Sequence, residues 1–296
     1  MKLAGTFTAL VTPFFDDADQ GIDWAAFDAL IDQQIEGGIT GLVPCGTTGE
    51  SPALSHDEHA AVVARTIARA KGRALVIAGT GSNATRVAVQ SSREAEAAGA
   101  DAVMVVVPYY NKPTQEGLFR HFVEVARAVS CPVVVYNIPG RSGVDLSADT
   151  LARIVAAAPN VVATKEATGN VLRAQELVRR HGDRLTVLSG DDALTLPMIA
   201  CGAQGVISVA SNLLPRSVGD VTSAALAGDF AGARAKHQAL LPLYEAMFVE
   251  ANPGPVKTAL SLRGRMSAAV RGPLAPVSEA TRALVASAMS PFEGSL

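Results

Sequence analysis

The runs PVVVYNI (Pro132–Ile138) and VVATKEA (Val161–Ala167) enclose a stretch with helical spacing, and this unit sets the reading of the whole chain. Both runs are continuously apolar instead of alternating, which is the habit of strands covered on both faces in a parallel sheet. Strand, helix and strand in that order imply a right-handed crossover.

Working outward, the same unit recurs. Further apolar runs open at Thr6, Gly41, Ala74 and Ala102 upstream and at Leu185 and Gly205 downstream. Each ends in Gly, Pro, Asn or Thr before the next helical pattern. Eight units in about 225 residues predict an α/β chain closed into a TIM (β/α)8 barrel over residues 1–225, since an open doubly wound sheet has fewer strands. Beyond Ala225 the strand pattern stops. Three helical segments, Phe230–Glu250, Pro255–Arg263 and Ser278–Ala288, predict a C-terminal helical appendage over 226–296. The turn opening at Asn252 and the GPLAP segment from Gly272 separate them. Ser55 with Glu58 three residues on predicts a capping box at the start of the second helix, and Gly99 a helix end.

Composition narrows the function. Of 296 residues, 49% are hydrophobic and 18% charged, as in an ordinary soluble globular protein with a sizeable core. A net charge of -3 offers no basic field, so nucleic acid and anionic membranes are excluded as partners. Cys45, Cys131 and Cys201 lie far apart with no CxxC pair, which predicts neither disulfides nor zinc and suits a reducing cytoplasm. The start, with Lys2 before an apolar stretch, superficially resembles a signal peptide. Pro13 interrupts it and Asp16 and Asp17 follow, so it reads as a first strand. No apolar run approaches the roughly 20 residues of a membrane span.

In a barrel of this kind the chemistry sits where the strands end at their C-termini. Lys165 closes VVATK. A cation there either pairs with an acid, snorkels to solvent, or gives up its proton and becomes a nucleophile for carbonyl carbon. Glu166 cannot easily neutralise it, because adjacent strand residues face opposite ways. Tyr136 ends the neighbouring strand; its phenol either shuttles protons or satisfies a backbone partner. Arg141, in the GRSG loop, is a fork suited to a carboxylate, or else an ordinary surface arginine. GTTGE (Gly46–Glu50) sets Thr47 and Thr48 between glycines, as an anion-binding turn or a plain one. Tyr109 and Tyr110 in PYYNKP face either the site or a neighbouring chain.

Two apparent motifs are set aside. GTGSNA (Gly79–Ala84) fits a dinucleotide fingerprint, but Asp101 precedes its strand instead of ending it. HDEH (His56–His59) is not HExxH, and its acids suit a helix N-terminus.

Lys165, Tyr136, GTTGE, PYYNKP, YNIPGRSG, SGDD (Ser189–Asp192) and NPGPVK (Asn252–Lys257) together resemble the dihydrodipicolinate synthase family of pyruvate-dependent Schiff-base lyases. The resemblance covers essentially the whole chain. It implies condensation of pyruvate with L-aspartate 4-semialdehyde to 4-hydroxy-tetrahydrodipicolinate, toward diaminopimelate and lysine. Lys165 matches the Schiff-base lysine. Tyr136, Thr47 and Tyr110 match a proton relay in which Tyr110 reaches in from another subunit. Thr48 matches a binder of the pyruvate carboxylate and Arg141 of the semialdehyde carboxylate, while Gly190 and Ile207 match backbone positions near the site. The family implies no metal or organic cofactor, and a homotetramer of two dimers. Ser51, Ala53, Leu54, His56, His59, Asn83 and Tyr109 stand where relatives bind regulatory lysine, but Val87 replaces the expected acid. The competing expectations are an aldolase for N-acetylneuraminate, keto-deoxy sugar acids or 4-hydroxy-2-oxoglutarate, and a non-catalytic ligand-binding barrel.

Overall fold

A computed structural model describes residues 3–295, so Lys2 of the apolar start lies outside the described residues. Each apolar run becomes a strand and each interval contains a helix. The first half runs β1 (Gly5–Ala9), α1 (Trp24–Glu36), β2 (Gly41–Val43), α2 (His56–Ala70), β3 (Leu75–Gly79), α3 (Thr85–Ala97), β4 (Ala102–Val106) and α4 (Gln115–Arg127). The second continues with β5 (Val133–Asn137), α5 (Pro139–Ser142), α6 (Ala148–Ala157), β6 (Val161–Glu166), α7 (Val171–His181), β7 (Thr186–Ser189), α8 (Thr195–Ala200), β8 (Gly205–Ser208) and α9 (Pro215–Leu226). The eight strands pair in chain order, all parallel, and close into a barrel.

Strand parity divides the core in two. Phe7, Val43, Ile77, Met104, Val134, Ala163, Leu188 and Ile207 fill the barrel interior. The alternate residues, among them Val103, Val105, Val133, Val135 and Val187, pack outward against the helices. Strand residues are thus covered on one side or the other, which is why the runs are mostly apolar, with polar side chains such as Asn137, Lys165, Glu166, Ser189 and Ser208 gathered at their C-terminal ends. Burying each large aliphatic or aromatic residue stabilises the fold by about 1.5–3 kcal/mol.

Polar side chains set the helix starts. Asp23, Ser55, Thr114, Ser147 and Ser278 each accept a backbone N–H at an N-cap. The capping box is present: Glu58 N donates to Ser55 Oγ at 3.2 Å and Ser55 N to Glu58 Oε2 at 2.8 Å. Ala98 and Gly99 close α3.

After the barrel come α10 (Phe230–Ala246), α11 (Gly254–Leu262) and α12 (Glu279–Met289). Two expectations shift. The first of these helices ends at Ala246 instead of Glu250, because Met247 N and Phe248 N bond back to Leu243 O and Glu245 O and tighten the last turn. The GRSG segment, expected as a loop, lies largely in the single helical turn α5, opened by Pro139 and ended by Gly143 at φ 74°.

The barrel closes where Gly5 pairs with Gly205 and Phe7 with Ile207. Gly205 has φ 150°, and a Cβ there would lie 1.9 Å from Gly5 O. Gly205→Ala is therefore expected to destabilise the fold by at least about 3 kcal/mol in urea unfolding. A loss below about 1 kcal/mol would show that the seam has slack.

Candidate active site

Lys165 points into the barrel because Ala163 and Ala167, two residues to either side, belong to the interior cluster. The residue is only 5% exposed, which decides against a side chain snorkelling to bulk water. Its Nζ lies 4.3 Å from the centre of the Tyr136 ring on the paired strand. Glu166 faces the helical layer, as strand parity requires. Its Oε2 accepts from Arg173 Nε at 2.9 Å and its Oε1 from Thr168 N at 2.9 Å.

Without an adjacent partner, burial pulls the Lys165 amine down from 10.5 to about 8, the nearby Asp192 carboxylate opposes the shift, and the Arg141 charge adds to it. A shift of that size disfavours the charged form by about 3 kcal/mol. Asp192 is itself buried. Its Oδ2 accepts from Val209 N and Ala210 N, both at 3.0 Å, its Oδ1 has no protein partner, and burial raises its pKa.

Tyr136 lines a cavity of about 230 Å³ together with Thr47, Arg141, Ser51 and Tyr109. Burial pushes its phenol up to about 12, while the Arg141 charge and the Thr47 hydroxyl pull the other way. Tyr136 therefore carries its proton at neutral pH. Cys45 also lines the cavity, but burial alone raises its thiol, which makes it an inert wall. Arg141 is exposed on α5, and its guanidinium enters none of the ion pairs among the described residues.

Gly79 and Gly81 lie in the same wall. A Cβ on Gly79 would meet Cys45 O at 2.3 Å, and one on Gly81 would meet Val106 N at 2.4 Å. Close backbone packing is thus the physical reason for these two glycines in the dinucleotide-like run.

The other expected positions divide. Thr47 lines the cavity, whereas the buried Thr48 hydroxyl accepts from Asn252 Nδ2 at 2.9 Å. Neither Thr47 N nor Thr48 N finds a protein acceptor among the described residues, so the turn presents two N–H donors. Ile207 belongs to the interior cluster. Tyr110 is 88% exposed and outside the chain's own cavity.

A second cavity of about 220 Å³ shares Ser51, Pro52, Gly81 and Tyr109 with the first and adds Leu54, His56, His59 and Val87. Ala53 and Asn83 are not in its wall. Ala53 O accepts from Arg271 Nη1 at 3.0 Å and Asn83 O from Asn111 Nδ2 at 2.8 Å. His59 Nε2 is 2.8 Å from Gly79 O, and burial lowers its pKa. Glu94, the acid near this site, sits 3.3 Å from His56 Nε2.

Sequence reasoning quoted Asp192 and Asn252 within motifs without giving either a task. A buried acid is visible only once its strand end is closed over by α10, and a contact across 204 positions leaves no local trace.

Gly190 is the steric requirement that touches the lysine itself. A Cβ there would lie 2.6 Å from Ala167 Cβ and 3.1 Å from Lys165 Cε. Gly190→Ala should cost about 1–3 kcal/mol in urea unfolding and displace the Lys165 stem in a crystal structure; an unmoved lysine would contradict the assigned contact.

The model of the Dihydrodipicolinate synthetase family matches residues 2–291. A protein of Sorangium cellulosum named 4-hydroxy-tetrahydrodipicolinate synthase is 62% identical, with 99% of this chain and 97% of that protein covered. One of the same name from Geobacter sulfurreducens is 50% identical, covering 98% of each. Among solved structures, the 4-hydroxy-tetrahydrodipicolinate synthase of Methylacidiphilum fumariolicum SolV superimposes with a TM-score of 0.97 at 45% identity, over 100% of this chain and 97% of that one. The enzyme of Cyanidioschyzon merolae with lysine bound gives 0.94 at 35% identity, over 99% of each chain. By sequence over its whole length and by its closed barrel, the chain belongs to the dihydrodipicolinate synthetase family.

Proposed function

We propose that this chain condenses pyruvate with L-aspartate 4-semialdehyde through a Schiff base on Lys165, giving 4-hydroxy-tetrahydrodipicolinate for lysine and diaminopimelate biosynthesis. The carrying observation is a barrel-interior amine with its pKa lowered to about 8, beside a protonated tyrosine and an arginine with no acidic partner. The names of the relatives agree with it.

The steps follow from the groups present. Neutral Lys165 attacks the pyruvate ketone, and loss of water leaves an iminium. The electron-poor iminium acidifies the methyl group, and loss of one proton gives an enamine. The enamine carbon attacks the aldehyde, whose oxygen takes a proton. The α-amine of the semialdehyde then displaces Lys165 from the former ketone carbon, closing the ring and freeing the enzyme. Tyr136, joined to solvent through Thr47, is the proton carrier for these transfers. Arg141 takes the semialdehyde carboxylate, and the N–H groups of Thr47 and Thr48 with the Thr48 hydroxyl take that of pyruvate.

In this reading the barrel of residues 1–225 carries the chemistry and residues 226–296 support it. Tyr110 completes the relay of a neighbouring subunit, which supports a homotetramer built from dimers. No helix among the described residues is long and apolar enough to cross a membrane, and a biosynthetic role suits the cytoplasm.

Borohydride reduction with pyruvate should add a three-carbon mass to the peptide containing Lys165. Arg141→Ala should leave that adduct intact while raising the semialdehyde KM about 10- to 150-fold, the equivalent of one lost charged hydrogen bond. No adduct would eliminate the Schiff-base function, and turnover only in the cleavage of sugar acids would reassign the second substrate.

The second cavity holds histidines but has Val87 where the resemblance expects an acid, and Glu94 is already beside His56. Millimolar lysine is therefore expected to inhibit weakly or not at all in the coupled assay; half-inhibition at micromolar lysine would show that another acid serves.

A further inference from the structure

Asn252 opens the NPGPVK segment between α10 and α11, far from the barrel in sequence, yet it touches the turn that presents Thr47 and Thr48. We infer that Asn252 is a positioning residue that aims the Thr48 hydroxyl proton at the carboxylate of the keto-acid substrate. This rests on the proposed reading of the site and assigns the C-terminal helical region a part in it.

A threonine hydroxyl has one proton to give and two lone pairs to fill. Asn252 Nδ2 donates to Thr48 Oγ1 at 2.9 Å, with both residues buried, so the contact occupies a lone pair and leaves the proton unspent. Placing a donor behind the oxygen also turns the hydroxyl proton away from Asn252. The Thr48 backbone N–H has no protein acceptor either, so two donors of one residue remain for an anion.

The other end of the asparagine amide is informative. Asn252 Oδ1 is buried with no hydrogen-bond partner among the described residues. An amide that only joins two segments is normally satisfied at both ends, so the free oxygen leaves room for a further polar partner beside the turn.

The turn is held rigidly enough for such aiming to matter. Glu50, at its end, adopts φ 53°, a left-handed conformation that a non-glycine residue adopts only when its surroundings impose it. Lys257 Nζ lies 2.5 Å from Glu50 Oε1 and donates to Ala269 O at 2.8 Å, while Arg271 N donates to Glu50 Oε2 at 2.9 Å. Arg271 also forks onto Glu58 at the start of α2. Residues after the barrel thus grip the turn at Thr48 and at Glu50. The lysine and arginine hold the Glu50 carboxylate at the end of the turn, and the asparagine fixes the direction of one hydroxyl.

The test is a double-mutant cycle read by borohydride trapping with pyruvate. Asn252→Leu should raise the pyruvate concentration for half-maximal trapping at least about tenfold, the scale of one charge-assisted hydrogen bond, with a smaller effect on the maximal trapping rate. In a Thr48→Val background, Asn252→Leu should add less than about twofold, because the hydroxyl it serves is gone. If Asn252→Leu does not fold, Asn252→Asp gives the same comparison in a side chain of equal size. Its carboxylate would draw the Thr48 proton to itself and weaken pyruvate binding at least as much. Half-saturation within about twofold of the parent in a folded Asn252 variant, or an undiminished effect in Thr48→Val, would overturn the inference. Failure of the unaltered enzyme to trap pyruvate at all would instead sink the proposed function.

Discussion

An ammonium group inside a closed barrel has lost most of the water that stabilises its charge, and no adjacent acid makes good the loss at Lys165. Strand parity forces that outcome: the same alternation that puts Ala163 and Ala167 inside puts Glu166 outside, bound to Arg173. The rest of the site can be understood as adjustment around this amine. Gly190 leaves room for its stem, and Asp192 keeps its pKa from falling further. Tyr136 covers it with a ring whose own proton is held by burial. A charged lysine would be inert toward a ketone, whereas one fully stripped of electrostatic support would have its charged form disfavoured further still. Asp192 stands between those extremes.

The barrel alone does not make the site. Thr47 and Thr48 sit on a turn fixed by Asn252, Lys257 and Arg271, all beyond the last strand. Tyr110 lies exposed on a loop whose neighbours Ser142 and Asn83 hold its backbone surroundings, through Tyr110 N to Ser142 O at 3.3 Å and Asn111 Nδ2 to Asn83 O at 2.8 Å. Tyr110 is a large aromatic side chain left 88% exposed, next in sequence to Tyr109 of the cavity wall. Interior strands thus set the environment of one buried amine, and segments beyond the barrel hold the turn of Thr47 and Thr48.

Legibility followed the range of the interactions. The eight strands could be read because a parallel strand buried on both faces must be apolar at successive positions, and Val133 to Val135 and Val103 to Val107 leave no other choice. Position and parity put Lys165 at a strand end but left its task open between several readings, whereas the Ser55–Glu58 capping box followed from a spacing of three. What escaped was non-local or steric. The Asn252–Thr48 bond joins residues 204 apart. The glycines of GTGSNA mimic a nucleotide fingerprint because both need close backbone approach, here to Cys45 O and Val106 N. The α5 turn escaped because a single helical turn of four residues has no periodicity to detect. Ala53 and Asn83, matched to a regulatory pattern through the resemblance, present backbone oxygens to Arg271 and Asn111 within this chain.

Burial in the barrel should let the Lys165 amine exchange its proton near neutrality. Competitive labelling of the native enzyme with acetic anhydride across a pH series, read peptide by peptide in a mass spectrometer, measures that directly. Acetylation of Lys165 should follow a titration with its midpoint at about 8. A midpoint at the ordinary 10.5 would contradict the account, because the buried amine would then be as firmly protonated as a lysine in water.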